Sequence, residues 1–389
     1  MRRVSDILVA VVVVHVVLLG GFAHAAEATL IRGDANRDGR VSIADAAGTL
    51  LYLCLAGGEP ACLAAADTNA SGTLDLNDPL RIMRVLYLGE DTIAVPFPGC
   101  STETLGELTC ETPLGCGESV PPVPGPHRIA VSRSGGDTEA TVRGTPGNEL
   151  DVPIEVVLET LDGVTIGAYA WSFGLRVESE SIEASLVEPT FSGTRAADTF
   201  TGGFRHVAAV EGGAVSEIIL NITSPDTLPP GSSTVLKATL RVAVDPTGME
   251  GTVTVSPSPM NGPGGRVELE VLGGDAEGSR LAPFEPSIAP LTIRVVPARF
   301  ARGNSNLDGA YDISDAMHIL LALFEHPDGF PCADASDAND DGAVDLSDAV
   351  FTLGCLFLGD SCPAAPHPDC GLDASPDDLG CDAAPSSCD

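Results

Sequence analysis

The stretch GDANRDGRVSIAD, Gly33 to Asp45, sets oxygen-bearing side chains at fixed steps around a glycine. With Asp34 as position 1, Asp34, Asn36, Asp38, Ser42 and Asp45 fall at positions 1, 3, 5, 9 and 12, and Gly39 at position 6. Arg40, at position 7, offers its backbone carbonyl. A hard divalent cation takes about six to eight oxygens, and glycine permits the sharp turn that gathers them. This is the spacing of a Ca²⁺ loop. Asp, Asn and Gly also build ordinary polar turns, so a single stretch does not separate the two readings.

Repetition separates them. A second copy places Asp67, Asn69, Ser71, Asp75 and Asp78 around Gly72, with Thr73 at position 7. A third places Asn304, Asn306, Asp308, Asp312 and Asp315 around Gly309, with Ala310 at position 7. The fourth is Asp337, Asn339, Asp341, Asp345 and Asp348 around Gly342, with Ala343 at position 7. In each pair the second copy starts 33 residues after the first, Asp34 to Asp67 and Asn304 to Asp337. Two matched pairs in separate parts of the chain point to as many as four Ca²⁺ ions. Copy 3, which opens on Asn304, is the weakest by this pattern, and copy 2, with Ser71 at position 5, comes next.

The segments after the loops agree. ADAAGTLLYLCL, NDPLRIMRVLYL, SDAMHILLALF and SDAVFTLGCLFL are apolar at helical spacing over about three turns. Pro79 falls in the first turn of its helix, where a missing N–H costs little. One strong helix succeeds each loop, and the segment before each loop is short. Two such loop-then-helix units, with Asp at position 12, resemble the type I dockerin module of bacterial cellulose-degrading assemblies, over residues 33–89 and 303–359. The resemblance implies calcium binding at all the loop residues named above. It does not carry over the family's usual docking surface. Where dockerins present a Ser/Thr pair at positions 10 and 11, this chain has Ile43–Ala44, Leu76–Asn77, Ile313–Ser314 and Leu346–Ser347. Arg81 and Arg84 are the basic candidates in the helices.

Arg2 and Arg3, an apolar run from Ile7 to Leu19, and the small residues Ala23-His24-Ala25 read as a secretory signal peptide over 1–25. The run is shorter than a spanning helix requires, so no membrane span is expected after cleavage, and the expected address is secreted or cell-surface. Eleven cysteines in an exported chain then read as disulfides. Spacing repeated between the two ends predicts Cys62–Cys100, Cys110–Cys116, Cys332–Cys370 and Cys381–Cys388, with Cys355–Cys362 as a fifth bridge. Cys54 is left over, either as a buried thiol or as an intermolecular link. A net charge of −35 with 20 basic residues argues against nucleic acid and anionic membranes as partners.

Between a Pro-rich linker, 118–127, and about Pro297 the chain changes to short β runs broken by Gly, Pro, Asp and Asn. ELDVPIEVVLE, IGAYAWSFGLRV, AVSEIILNI, STVLKATLRVAV and PLTIRVV are examples. About nine strands with no convincing helix predict an all-β antiparallel sandwich of jelly-roll type over 128–297. GNELDVPIEV, YAWSFGLRV and STVLKATLRV resemble segments of cohesins and of related carbohydrate-binding sandwiches. Alternation puts Tyr169, Trp171, Phe173 and Leu175 on one face, and Ala170, Ser172, Gly174 and Arg176 on the other. That makes the single Trp a core residue rather than a sugar platform. His206 reads as a surface residue. No metalloprotease pattern, nucleophile elbow or phosphate loop is present.

The chain therefore reads as a multidomain, non-catalytic protein. Two small α-helical, dockerin-like calcium modules, 28–117 and 298–389, flank a cohesin-like sandwich. The expected role is protein–protein assembly or adhesion through the dockerin-like and cohesin-like surfaces, self-association included. The alternative is a carbohydrate-binding accessory protein of a polysaccharide-degrading system.

Overall fold

The computed structural model describes residues 27–389 apart from 56, 90–91, 105, 111–123, 162–163, 222–225, 263–264, 275–280, 326–329, 374, 376, 378, 382–387 and 389. The signal segment 1–25 and residues 118–123 of the linker lie outside the described residues.

In the N-terminal module, β1 (Glu27–Leu30) pairs antiparallel with β2 (Ser101–Thr104). Between them run α1 (Ile43–Leu55), the one-turn α2 (Leu63–Ala66) and α3 (Asn77–Met83). A π-turn, Arg84–Leu88, continues α3 and stops at Gly89, which is left-handed at φ 63°. The C-terminal module repeats the plan with α5 (Ile313–Phe324), α6 (Ala333–Ser336) and α7 (Leu346–Leu358). Each long helix begins where a loop ends because the last loop side chains are its caps. Asp312 accepts from Ser314 N and Asp345 from Ser347 N, while Asp315 and Asp348 reach back to the capping residue's own N–H. Ser42 Oγ and the Asp45 carboxylate do the same for α1. Such a cap is worth about 1 kcal/mol.

The middle of the chain is a two-sheet β structure. One sheet runs β15 (Leu281–Ala289), β3 (Pro124–Arg133), β5 (Glu149–Thr160), β10 (Gly231–Ala243) and β7 (Ala184–Thr190). The other runs β4 (Glu139–Gly144), β16 (Leu291–Pro297), β11 (Gly251–Ser258), β6 (Ala168–Ser179), β14 (Glu270–Gly274) and β15, with β9 (Gly213–Ile219) and β8 (Phe204–Val210) added alongside β6. Strand β15 joins the two sheets, pairing first with β14 and then with β3. Alternation supplies the core: Val152, Ile154, Val156 and Leu158 of β5 share one buried cluster with Trp171, Phe173 and Leu175 of β6. Each such side chain contributes roughly 1.5–3 kcal/mol on burial.

The structure departs from the sequence reading in several places. The sandwich is not wholly antiparallel: β15 pairs parallel with β3, and β16 with β4, so the first strands meet the last at the sheet edges. A short helix, α4 (Arg195–Thr199), capped by Thr194, interrupts the strands. Strand β3 starts at Pro124, inside the segment read as linker, and His127 is fully buried. Tyr169 does not face the core with Trp171. The β6–β14 register slips between Leu272 and Gly273, pairing Leu272 with Ala170 but Gly273 with Ala168. The extra residue breaks the alternation there, and Tyr169 joins Ala170 in a separate cluster on the outside of the sheet.

The disulfides also differ. Cys62 pairs with Cys110, Cys332 with Cys381, and Cys370 with Cys388, in place of the pairings expected from spacing. Cys355–Cys362 forms as expected, and Cys100 is bonded as well. The reason is the way each module closes. Isolated bridges Cys62–Cys110 and Cys332–Cys381 lay the tail of the module along the entry to its one-turn helix. Cys54 is a free thiol and is exposed, not buried.

Candidate calcium loops and a helix-docking face

All four loops share one backbone. Gly39, Gly72, Gly309 and Gly342 at position 6 are left-handed, with φ between 83° and 87°. So are the non-glycine residues at position 4, Arg37, Ala70, Leu307 and Asp340, at φ 56–64°. A left-handed non-glycine residue is uncommon, and its recurrence at the same place shows that the loops are one structure used four times.

Side chains at positions 1 and 12 are gripped by the loop's own amides. Asp34 accepts from Asp38 N and Gly39 N, both at 3.0 Å, and Asp45 accepts from Asn36 N at 3.0 Å and Ser42 N at 2.8 Å. Asp67 and Asp78 hold Ser71, Gly72, Asn69 and Asp75 in the same way. Asp337 and Asp348 hold Asp341, Gly342, Asn339 and Asp345. In loop 3, Asp315 holds Asn306 and Asp312. The Oδ1 of Asn304 at position 1, however, is buried without a hydrogen-bond partner, as is Asn339 Oδ1 in loop 4. An orphaned buried acceptor costs about 1–3 kcal/mol, which a cation at that oxygen would offset.

Electrostatics point the same way. Burial, with Asp38 beside it, pushes the Asp34 carboxyl up to about 6, and burial with Asp337 nearby does the same to Asp348. Asp45 is raised by burial and by Asp34 and Asp38. Burial also raises Asp38, Asp78 and Asp315, whereas hydrogen bonds from Ser314 and Ser347 lower Asp312 and Asp345. Crowded, half-desolvated carboxylates are stabilised in their charged form by a cation. The donor set is hard oxygen throughout, which suits Ca²⁺ and not a thiolate- or imidazole-seeking metal.

Not every loop oxygen is brought together. Among the described residues, acidic groups whose oxygens lie within 4.8 Å of one another in threes are Asp334/Asp373/Asp377 and Asp337/Asp340/Asp377, beside loop 4. Three carboxylates of one loop do not reach that spacing. The set beside loop 4 already has a positive partner: buried Arg302 reaches Asp373 at 2.6 Å and Asp340 at 3.0 Å. Arg32 occupies the equivalent place in the N-terminal module, donating to the carbonyls of Ala64 and Asp67 at 3.0 and 2.8 Å. Both arginines tie the first loop of a module to the second. The Arg-Gly pair that opens loops 1 and 3 was the visible signal for them.

A second feature was not anticipated. The N-terminal helix pair lies on the outer face of β8, β9, β6 and β14, and its core continues into the sheet. Ile43, Ala47, Leu50, Ile82 and Tyr87 share one buried cluster with Tyr169, Ala170, Ile219 and Leu272. Tyr87 stacks on Phe204 at 5.4 Å. Below it His206, read as a surface residue, pairs with the buried Glu217 at 2.7 Å. At the rim, Ser42 donates to Glu270 at 2.7 Å and Arg40 lies 3.9 Å from Glu268. Burial holds the Glu270 carboxyl up at about 7. The C-terminal module instead meets the sandwich through its one-turn helix, Thr145 Oγ1 donating to Asp334 at 3.2 Å, while α5 and α7 pack on each other.

No family model matches the chain, and no curated protein matches it. Among solved structures, a type I cohesin–dockerin complex from Clostridium thermocellum is 10% identical, covering 45% of this chain and 96% of that chain, with a TM-score of 0.28. The seventh ScaB type I cohesin of Pseudobacteroides cellulosolvens is 9% identical over 44% of this chain and 92% of its own, at 0.28. A non-cellulosomal cohesin of the archaeon Archaeoglobus fulgidus is 10% identical over 44% and 91%, at 0.22. Each of these matches covers less than half of this chain.

Proposed function

We propose that this is an exported, non-catalytic assembly protein whose calcium-loaded loop–helix modules bind by laying a helix pair on the outer face of a β-sandwich. The observation that carries the reading is the docked pair inside the chain itself: an apolar helix face seated on β8, β9, β6 and β14, rimmed by Ser42–Glu270. Ca²⁺ would be held by the side chains at positions 1, 3, 5, 9 and 12 and the carbonyl at position 7. It would neutralise the crowded carboxylates and fix each loop at the start of its helix. For the carbohydrate-binding alternative no observation speaks, since Trp171 is buried in the core.

A protease site built into 118–123 of the full chain tests this. After cutting, the N-terminal part should co-elute with the remainder in millimolar calcium and separate when EGTA is added. Separation in calcium would refute docking as the binding mode.

A further inference from the structure

In the C-terminal module the tail brings acid to loop 4. Asp373 and Asp377 come from the tail, Asp334 from α6, and Asp337 and Asp340 from the loop. Asp334, Asp373 and Asp377 each place an oxygen within 4.8 Å of the other two, and Asp337, Asp340 and Asp377 do the same. These are not surface acids. Asp334 and Asp337 are 0% exposed, and the Asp373 side chain is 2% exposed. Arg302 brings one positive charge to the five carboxylates, at Asp373 and Asp340. Two buried oxygens are left over: Asp334 Oδ1 and Asp373 Oδ2 have no hydrogen-bond partner. A buried carboxylate oxygen with neither water nor a donor is costly, and a cation is what removes that cost.

The N-terminal module shows the same fold without this group. At the offset that sets Asp337 on Asp67, Asp334 falls on Ala64, Asp340 on Ala70 and Asp373 on Glu103. There Arg32 donates to the same two backbone carbonyls as Arg302 and lies 3.9 Å from Glu103, and among the described residues no acidic triple forms. The arginine and the chain path therefore do not need the extra acids. In the C-terminal tail, Asp373, Ser375 and Asp377 repeat the alternate-residue spacing on which each loop opens. The donors are carboxylate oxygens, with no thiolate or imidazole among them, which suits a hard divalent cation.

We propose that Asp334, Asp373 and Asp377 form a further Ca²⁺ site, outside the four loops and confined to the C-terminal module. The ion ties the one-turn helix to the tail. It also acts where the module meets the sandwich, since Thr145 Oγ1, just after β4, donates to Asp334 at 3.2 Å and to the carbonyl of Leu379 at 3.3 Å. The C-terminal module is thus anchored at this junction by a metal that its N-terminal counterpart lacks.

Calcium alone is the probe, counted per chain by equilibrium dialysis of the full protein at about 10 mM free calcium, above the weakest affinities of extracellular sites. Asp334→Ala/Asp377→Asn should bind one ion fewer than the native chain. The first change copies Ala64 of the N-terminal module, and the second keeps the shape of the side chain. Loop occupancy enters both counts equally, so loops that fail to fill lower both and leave the difference at one. An unchanged count would overturn the site. So would a loss of two or more with the helices intact, which would assign these acids to loop 4 itself. Asp377→Lys gives an independent reading, because its ammonium stands in for the ion among the remaining carboxylates. This variant should also bind one ion fewer, and in EGTA its C-terminal helices should melt at a higher temperature than those of the native chain. A native count, or a lower melting temperature in EGTA, would overturn the proposal.

Discussion

The two ends of this chain are the same loop–helix design in different company. At the N-terminal end the helix face is sealed by a sheet; at the C-terminal end the equivalent face stands in water. Loop backbone, capping and the buried arginine are shared, so none of these decides whether a module docks. The difference lies in a few side chains: Arg40, Ser42, Ala47 and Tyr87 against Ala310, Asp312, Met317 and Phe357. Small or hydrogen-bonding residues suit the sheet that is present, and larger or acidic ones do not. A module's fold is thus separable from its choice of partner.

Calcium removal should sharpen this contrast most. At 100 times its dissociation constant a ligand adds about 2.7 kcal/mol per site, so two loops per module amount to about 5 kcal/mol. The C-terminal module, with its face unsupported, should lose helical circular dichroism in EGTA before the N-terminal one, while the sandwich stays folded. Asp34→Ala with Asp45→Ala should confine the loss to the N-terminal end. Helices that persist equally at both ends without calcium would break the comparison.

The next largest effect separates equivalent positions. Ala47→Arg should cost about 3 kcal/mol or more in chemical denaturation, because it buries an unpaired charge. Met317→Arg, at an exposed site, should stay within about 0.5 kcal/mol of the native chain. Equal costs would mean that the two faces are not differently covered.

The sandwich is the common reference, and its weak point is acid. Burial lowers the His127 imidazole from 6.5 to about 4. The neutral ring is favoured in the fold and the unfolded chain binds the extra proton. Its contribution is therefore full above about pH 6.5 and is lost as pH falls toward about 4, on the order of 3 kcal/mol in all. His127→Leu should flatten the stability–pH curve of the sandwich across that window, with calcium kept saturating. An unchanged slope would assign the acid lability elsewhere.

Smallest is the single hydroxyl. Tyr87→Phe removes one hydroxyl from the sealed face, where Tyr87 is 2% exposed, and should cost no more than about 1 kcal/mol of docking, seen as at most slightly easier separation of the parts after cutting at 118–123. Phe357→Tyr should cost nothing measurable.

Much of this architecture was legible in local sequence. Loop positions, the glycine at position 6 and the helix that starts at position 10 or 11 are set by neighbours a few residues away. Strand segments were equally visible from alternation. The rest depends on residues far apart in the chain. Cys62 reaches Cys110 because the module's tail lies along the one-turn helix, which spacing cannot report. Tyr169 faces outward because of a register slip against β14. The docking face needs Ser42 and Glu270 to meet across the chain, and neither residue looks unusual where it stands.

The most direct test is hydroxyl-radical footprinting of Tyr87 and Phe357 in the calcium-loaded full chain. These two aromatic rings occupy the same position in the two modules, at 2% and 64% exposure. Phe357 should label at least about tenfold faster than Tyr87, although tyrosine is intrinsically no less reactive. Equal labelling would contradict the claim that one face is sealed and the other open.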